Sequence, residues 1–373
     1  MILDAQHPLS SGLTADSRLI QAYQGTRPDV TPVWFMRQAG RSLPEYRELR
    51  VGTRMLDVCL DPELASEISL QPVRRHNVDA GIFFSDIVVP LKLVGVDVSI
   101  VAGKGPVLGK AVRTSADVDE LTAFDPAVLD EALAPISDAV ARAVSQLGST
   151  PLIGFAGAPF TLAAYLVEGG PSKDHIHART LMHAEPEAWE KLMAWTADIT
   201  GRFLRAQVLA GASAAQLFDS WAGALSLADY AASVAPSSAT AIAHVRDLTY
   251  TVPGADDVPV DRNVPIVHFG VGTGELLKEM HNIGADVVGV DYRVPLDEAN
   301  RRLGGTVPVQ GNVDPALLAA PWPVLEAHVR DVLERGGSAP SHVLNLGHGV
   351  PPDTDPDVLT RLVSLVHDVS AAE

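Results

Sequence analysis

Eight short apolar runs, each bounded by turn-forming residues and followed by a stretch of different periodicity, limit what this chain can fold into. They are PVWFM (32–36), AGIFF (80–84), PLIGFA (151–156), AAQLFD (214–219), PIVHFG (265–270), VVGVDY (287–292), VPVQGN (307–312) and HVLNLG (342–347). Their apolar residues run continuously rather than in alternation, as in strands covered on both faces of a parallel sheet. The intervening stretches, among them 61–76, 186–211, 273–284 and 355–369, carry helical spacing. Strand then helix, eight times, predicts an α/β fold of the (β/α)8 TIM barrel type. No Pro/Gly/Ser-rich linker divides the 373 residues, which favours one domain over 1–373 against a doubly wound sheet with a second domain.

Two segments interrupt the alternation. Residues 96–113 alternate and turn at Gly103 and Gly105, predicting a hairpin inserted after the second strand. Residues 247–265 are polar and rich in Pro and Asp, predicting a surface loop before the fifth strand, on the N-terminal face of the barrel. The Ala-rich 231–245 reads as an amphipathic helix interrupted by Pro236.

Charge and cysteine content narrow the partners. With 28 Lys and Arg against 46 Asp and Glu, the formal net charge is −18, which argues against nucleic acid or an anionic membrane surface. An anionic substrate would then depend on arginines gathered locally. The single cysteine, Cys59, supplies neither an intrachain disulfide nor a thiolate metal cluster, so no metal is expected and the cytoplasm is the expected location. The first residues, MILDAQHPLS, lack the basic and apolar regions of a secretory signal, and no apolar stretch is long enough to span a bilayer.

In a barrel of this kind the chemistry sits at the C-terminal ends of the strands. After the first run come Arg37, Arg41, Arg47 and Arg50; after the second, Asp86; after the third, Tyr165; after the fourth, Ser220; after the eighth, His348. Each has a plain structural reading: a solvated arginine face, a helix cap at Asp86 or Ser220, a core tyrosine, a turn histidine between two glycines. Their coincidence at five strand ends favours a site. Several guanidinium forks with one acid suit a substrate bearing many carboxylates. GVGTG (270–274) lacks the third glycine of a dinucleotide fingerprint and reads as a tight turn.

The stretch MRQAGRSLPEYRELR (36–50), with its RQAGR core at 37–41, resembles the uroporphyrinogen decarboxylase family. So do GIFFSDIVVPLKLVGVDV (81–98), GFAGAPFTLAAYLVEGG (154–170), LFDSWAGALS (217–226), GVDYRVPLDEA (289–299), VPVQGNVDPALL (307–318) and NLGHG (345–349). The resemblance runs over a core of about residues 16–367. It implies a homodimeric barrel enzyme that converts the four acetate arms of uroporphyrinogen III to methyls, giving coproporphyrinogen III, with no cofactor. It further implies that Arg37, Gln38, Ala39, Gly40, Arg41 and Arg50 hold substrate carboxylates, the middle three of the RQAGR core through backbone. Asp86 would face the pyrrole N–H groups, with Tyr165, Ser220 and His348 completing the pocket; Asp86, Arg37 and Tyr165 would carry the catalysis. The match is weaker at 247–265 and over Lys92 to Gly109. Two other readings stay open. A zinc methyltransferase on a related barrel would need a His-x-Cys near the fifth strand, where His268-Phe269-Gly270 stands instead. A non-catalytic tetrapyrrole-binding protein could dispense with Asp86.

Overall fold

Proline at the entry and a left-handed residue at the exit recur along the helices, and they explain where several begin and stop. The helix Pro62–His76 starts with Pro62, is capped by the Asp61 carboxylate accepting from the Glu63 and Leu64 amides, and ends at Asn77 with φ 54°. Pro159–Glu168 follows the same plan, ending at Gly169 with φ 79°. The 24-residue helix Pro186–Leu209 and the last helix, Pro356–Ser370, also open on proline. Pro236 falls in the first turn of Ala235–Arg246, so it begins that helix rather than breaking it. The computed structural model describes residues 1–254 and 258–370.

The strands, in chain order, are β1 (Gly81–Ile82), β2 (Val98–Val101), β3 (Gly105–Leu108), β4 (Leu152–Gly157), β5 (Ala214–Asp219), β6 (Thr249–Pro253), β7 (Pro259–Asn263), β8 (Ile266–Gly270), β9 (Val287–Gly289), β10 (Val309–Gln310) and β11 (His342–Val343). Seven of them form one parallel sheet in the order β1-β4-β5-β8-β9-β10-β11. The sheet curls. Gln310 on β10 donates to Gln216 on β5 at 3.1 Å, although β8 and β9 lie between them in the sheet. Tyr23 and Trp34 join that buried amide, donating to Gln310 Oε1 at 2.6 and 3.2 Å, and together these polar groups fill the inside of the curl.

The first apolar run behaves differently from the other seven. It contributes a single parallel bridge, Val33 to Leu344, rather than a ladder strand. Pro32 has no N–H to give, but its carbonyl accepts from Leu344 at 2.9 Å, and the Val33 carbonyl accepts from the Asp79 amide at 2.9 Å. Residues 32–34 therefore touch the segment before one edge strand, β1, and the residue just after the other, β11.

Two expectations need correction. Residues 247–265 are not an irregular loop: β6 and β7 form an antiparallel ribbon, pinned by the fully buried Tyr250 and by Thr251 donating across to Asp261 at 2.7 Å. The tip at 255–257 lies outside the described residues. The helix expected over 273–284 is confined to Leu277–Asn282. Its first turn is displaced because Gly272, at φ 72°, donates to Asp291 at 2.6 Å, and a Cβ at Gly274 would meet Val294 at 2.7 Å. That close approach fits the reading of GVGTG as a turn.

Candidate active site

A cavity of about 1230 Å³ opens at the C-terminal ends of the parallel strands. Phe84, Phe155, Phe218 and Phe269 supply apolar wall, with Phe218 meeting Phe155 and Phe269 edge-on at 5.6 and 6.1 Å. Of the residues singled out from the sequence, Arg37, Ala39, Gly40, Arg41, Arg50, Asp86, Tyr165, Ser220 and His348 all line it. Arg47 does not.

The Gln38 side chain serves a purpose apart from the backbone contact expected of this residue. Its side chain is fully buried, accepting from the Phe35 amide and donating to the Ala80 carbonyl, both at 2.9 Å, while its own amide donates to Phe35. It braces the loop from behind and offers nothing to the cavity. The resulting turn places Arg37 at φ 63°, a left-handed conformation rare for a long side chain. Neighbouring loops hold it there: Asn345 accepts from the Met36 amide at 2.9 Å, and the Val350 amide donates to the Met36 carbonyl at 2.8 Å. Gly349 leaves the necessary room. A Cβ on Gly349 would stand 2.5 Å from Arg37 Cδ, so this glycine, which the sequence reading passed over, lets the guanidinium run across the His348 loop.

The charged groups are unequally engaged. Arg50 is spent locally, donating to Tyr46 Oη at 2.7 Å and Thr53 Oγ1 at 3.0 Å. Arg37 and Arg41 are exposed to the cavity and make no hydrogen bond among the described residues. Asp86 is not the N-cap of the helix Val89–Leu93, whose N-cap is Val88 without a side-chain bond. One oxygen accepts from the Val88 amide at 3.0 Å, in a local turn, and the other has no hydrogen-bond partner among the described residues. Burial pushes its carboxyl above the ordinary range; the Val88 amide and the Arg37 charge pull partly the other way.

Around it the ionisable rings are held neutral. Burial and then the nearby Asp86 push the Tyr165 hydroxyl up to about 12, against the pull of Arg37, so it stays a donor. Burial, Arg37 and Arg293 lower His348, outweighing Asp291, and disfavour the imidazolium. The hairpin β2–β3 forms part of the wall, with Lys92 and Lys104 facing the same space. The weaker match over Lys92 to Gly109 thus falls on residues that line the cavity, and these two lysines add cations the sequence reading missed.

The alternation along β5 and β8 decides what the other acid and histidine can do. Phe218 and Phe269 face the cavity, so their neighbours Asp219 and His268 point to the helix side, where both are fully buried with His268 Nε2 3.5 Å from Asp219 Oδ2. Among the described residues no three His, Cys, Asp or Glu side chains gather as metal ligands, and no helix is long and apolar enough to cross a membrane.

Comparison with known proteins agrees over nearly the whole length. The family described as Uroporphyrinogen decarboxylase (URO-D) matches residues 14–369. A protein named uroporphyrinogen decarboxylase from Leifsonia xyli subsp. xyli is 72% identical over 368 residues, 98% of each chain. Another of that name from an Arthrobacter species is 66% identical, over 96% of this chain and 99% of its own. Among solved structures, a methyltransferase from Methanosarcina mazei superposes with a TM-score of 0.77 at 18% identity, covering 96% of this chain and 99% of that one, a likeness of fold alone. The chain belongs to the uroporphyrinogen decarboxylase family.

Proposed function

We propose that this chain removes the carboxyl groups of the four acetate arms of uroporphyrinogen III, as a carboxy-lyase that yields coproporphyrinogen III. The observation that carries the reading is the Asp86 carboxylate, with one oxygen free of partners among the described residues, set near Arg37 and Arg41, which have none among them either, in a cavity of about 1230 Å³. A flexible tetrapyrrole can dome so that its pyrrole N–H groups converge on Asp86 while its carboxylates reach outward to Arg37, Arg41 and the backbone at Ala39 and Gly40.

The substrate supplies its own electron sink. A proton added to the ring carbon beside the acetate arm makes a pyrrole-derived cation. The C–CO2 bond then breaks, its electron pair neutralises that cation, and CO2 leaves an exocyclic methylene. A proton taken up by the methylene and one lost from the ring carbon restore the pyrrole with a methyl in place of the acetate. Asp86, fixed beneath the ring nitrogens, stabilises the cation as preorganised charge. Tyr165, held protonated, donates toward the reacting ring, and neutral His348 and Ser220 offer hydrogen bonds without adding charge. Arg37 positions the departing carboxylate; its guanidinium is too weak an acid to release a proton readily.

The reading extends to architecture. The contacts of residues 32–34 with Leu344 and Asp79 support closure of the curled sheet into a (β/α)8 barrel of one domain, core about 16–367, with the β2–β3 ribbon inserted in it. A cytoplasmic homodimer follows from the family relation, and light scattering should give twice the chain mass. The activity is tested by incubating the protein with enzymatically made uroporphyrinogen III under reducing conditions and separating the oxidised products. Stepwise appearance of seven- to four-carboxylate porphyrins is expected. Recovery of the octacarboxylate alone, from folded protein, would overturn the proposal.

A further inference from the structure

Tyr165 reaches the cavity with a hydroxyl that makes no hydrogen bond among the described residues, so packing alone fixes the angle of its ring. The packing is specific. Trp221 stacks on Tyr165 with centroids 3.8 Å apart and planes at 27°, and His175 stacks on Trp221 at 4.3 Å, also at 27°. Two rings at those separations cannot share one face of an indole, so Trp221 is sandwiched between them. Its backbone is tied to the helix that carries Tyr165: the Trp221 amide donates to Thr161 Oγ1 at 3.4 Å, and that hydroxyl donates to the buried Asp219 at 2.8 Å.

The outer ring is held at some cost. His175 sits at φ 48°, ahead of the helix Ile176–Ala184, with its amide donating to Ser172 Oγ at 3.1 Å. It is 4% exposed, its Nδ1 is buried without a partner among the described residues, and burial lowers its pKa, so the ring packs uncharged. Strained backbone and an unsatisfied buried nitrogen are retained where surrounding structure demands them. Here the demand is a flat ring against the far face of Trp221.

We infer that His175 and Trp221 form a clamp that sets the Tyr165 ring against the reacting pyrrole, making both of them positioning residues for the decarboxylation. This rests on the reading of Tyr165 as a substrate-facing donor. Misplacement of a reacting group by about 1 Å costs on the order of a hundredfold, so partial loss of the clamp should cost about tenfold.

Trp221→Leu keeps apolar bulk but loses the flat face, and should lower kcat by about tenfold with KM within about twofold. Trp221→Phe restores a stacking ring and should recover kcat to within about threefold of the parent. His175→Asn tolerates the left-handed backbone while removing the ring, and should lower kcat by about threefold. The deciding measurement repeats each change in a Tyr165→Phe background, where removal of the clamp should add less than about twofold, because the group it serves is already gone. Melting temperatures for every variant separate misfolding from misplacement. If Trp221→Leu does not fold, the Trp221→Phe and His175→Asn variants carry the same cycle. Unchanged kcat in the ring-deleting variants, or losses that repeat in full in the Tyr165→Phe background, would overturn the clamp while leaving the active-site reading standing. A Tyr165→Phe protein with parental kcat would overturn both.

Discussion

The two ends of the parallel sheet use arginine in opposite ways. At the N-terminal end, Arg246 forks onto Asp286 at 2.9 and 3.1 Å and also reaches the Gly284 carbonyl, while Arg262 donates to Gln24, which in turn donates to Tyr250. Both of these guanidinium groups have protein partners. At the C-terminal end Arg37 and Arg41 have none among the described residues, and the nearest acid is kept apart with an oxygen free. Arg50 and Arg54 at that end are satisfied by protein groups, so the contrast rests on Arg37 and Arg41, the two guanidinium groups that the proposed reading gives to substrate carboxylates. The two ends therefore call for different assays, turnover at one and stability at the other.

The largest effect should come from Asp86. Asp86→Asn keeps an acceptor for the Val88 amide but removes the fixed charge, and turnover should fall at least about a hundredfold. Stability should move the other way. Burial raises the Asp86 pKa in the fold, so the folded chain holds that proton more tightly than the unfolded chain does. Ionisation then destabilises the fold increasingly as pH rises above the unfolded value of about 3.9. Asp86→Asn should melt above the parent at neutral pH, with the difference closing as pH falls toward about 4. Parental turnover in this variant would remove Asp86 from the mechanism.

Next come the unpartnered arginines. Arg37→Ala or Arg41→Ala should each lower kcat/KM by roughly 10- to 150-fold, from loss of charge-assisted hydrogen bonds to substrate. Arg47→Ala, whose side chain is exposed away from the cavity, should change it little. Greater damage from Arg47 than from Arg41 would contradict the geometry of the loop.

At the opposite end the order inverts. Arg246→Ala should cost about 1 kcal/mol of stability, as befits a half-buried ion pair with backbone contacts, and leave kcat unchanged. The smallest effect belongs to the tip of the β6–β7 ribbon. Shortening it while keeping Thr249–Thr251 paired should cost well under about 1 kcal/mol, because loop closure depends weakly on length. A large fall in turnover from either change would break the division between the ends.

What the sequence revealed and what it concealed divide along physical lines. Seven apolar runs were legible as strands because burial on both faces leaves a continuous apolar signature, and residues that line the cavity were legible because polar groups stand out at the ends of such runs. The ribbon at 249–263 was hidden, since its outward face is polar and only Tyr250 betrays a buried side. The work of the Gln38 side chain was hidden as well, since its amide braces Phe35 and Ala80, the latter 42 residues away. The dependence of Arg37 on the absence of a side chain at Gly349 could not be read from spacing, as those residues meet only through the fold. The same holds for the stack of His175, Trp221 and Tyr165, drawn from three separate segments.

The bond from the Met36 amide to Asn345 spans 309 residues of chain. A ribosome adding about 5 to 20 residues per second needs roughly 15 to 60 s to cover that distance. The arginine loop therefore waits for a partner made long after it. A nascent chain lacking the segment around Asn345 to Val350 has the Gln38 brace but not the two bonds that anchor Met36 beside the left-handed Arg37. The shape of the arginine loop is thus completed only after that distant segment has been made.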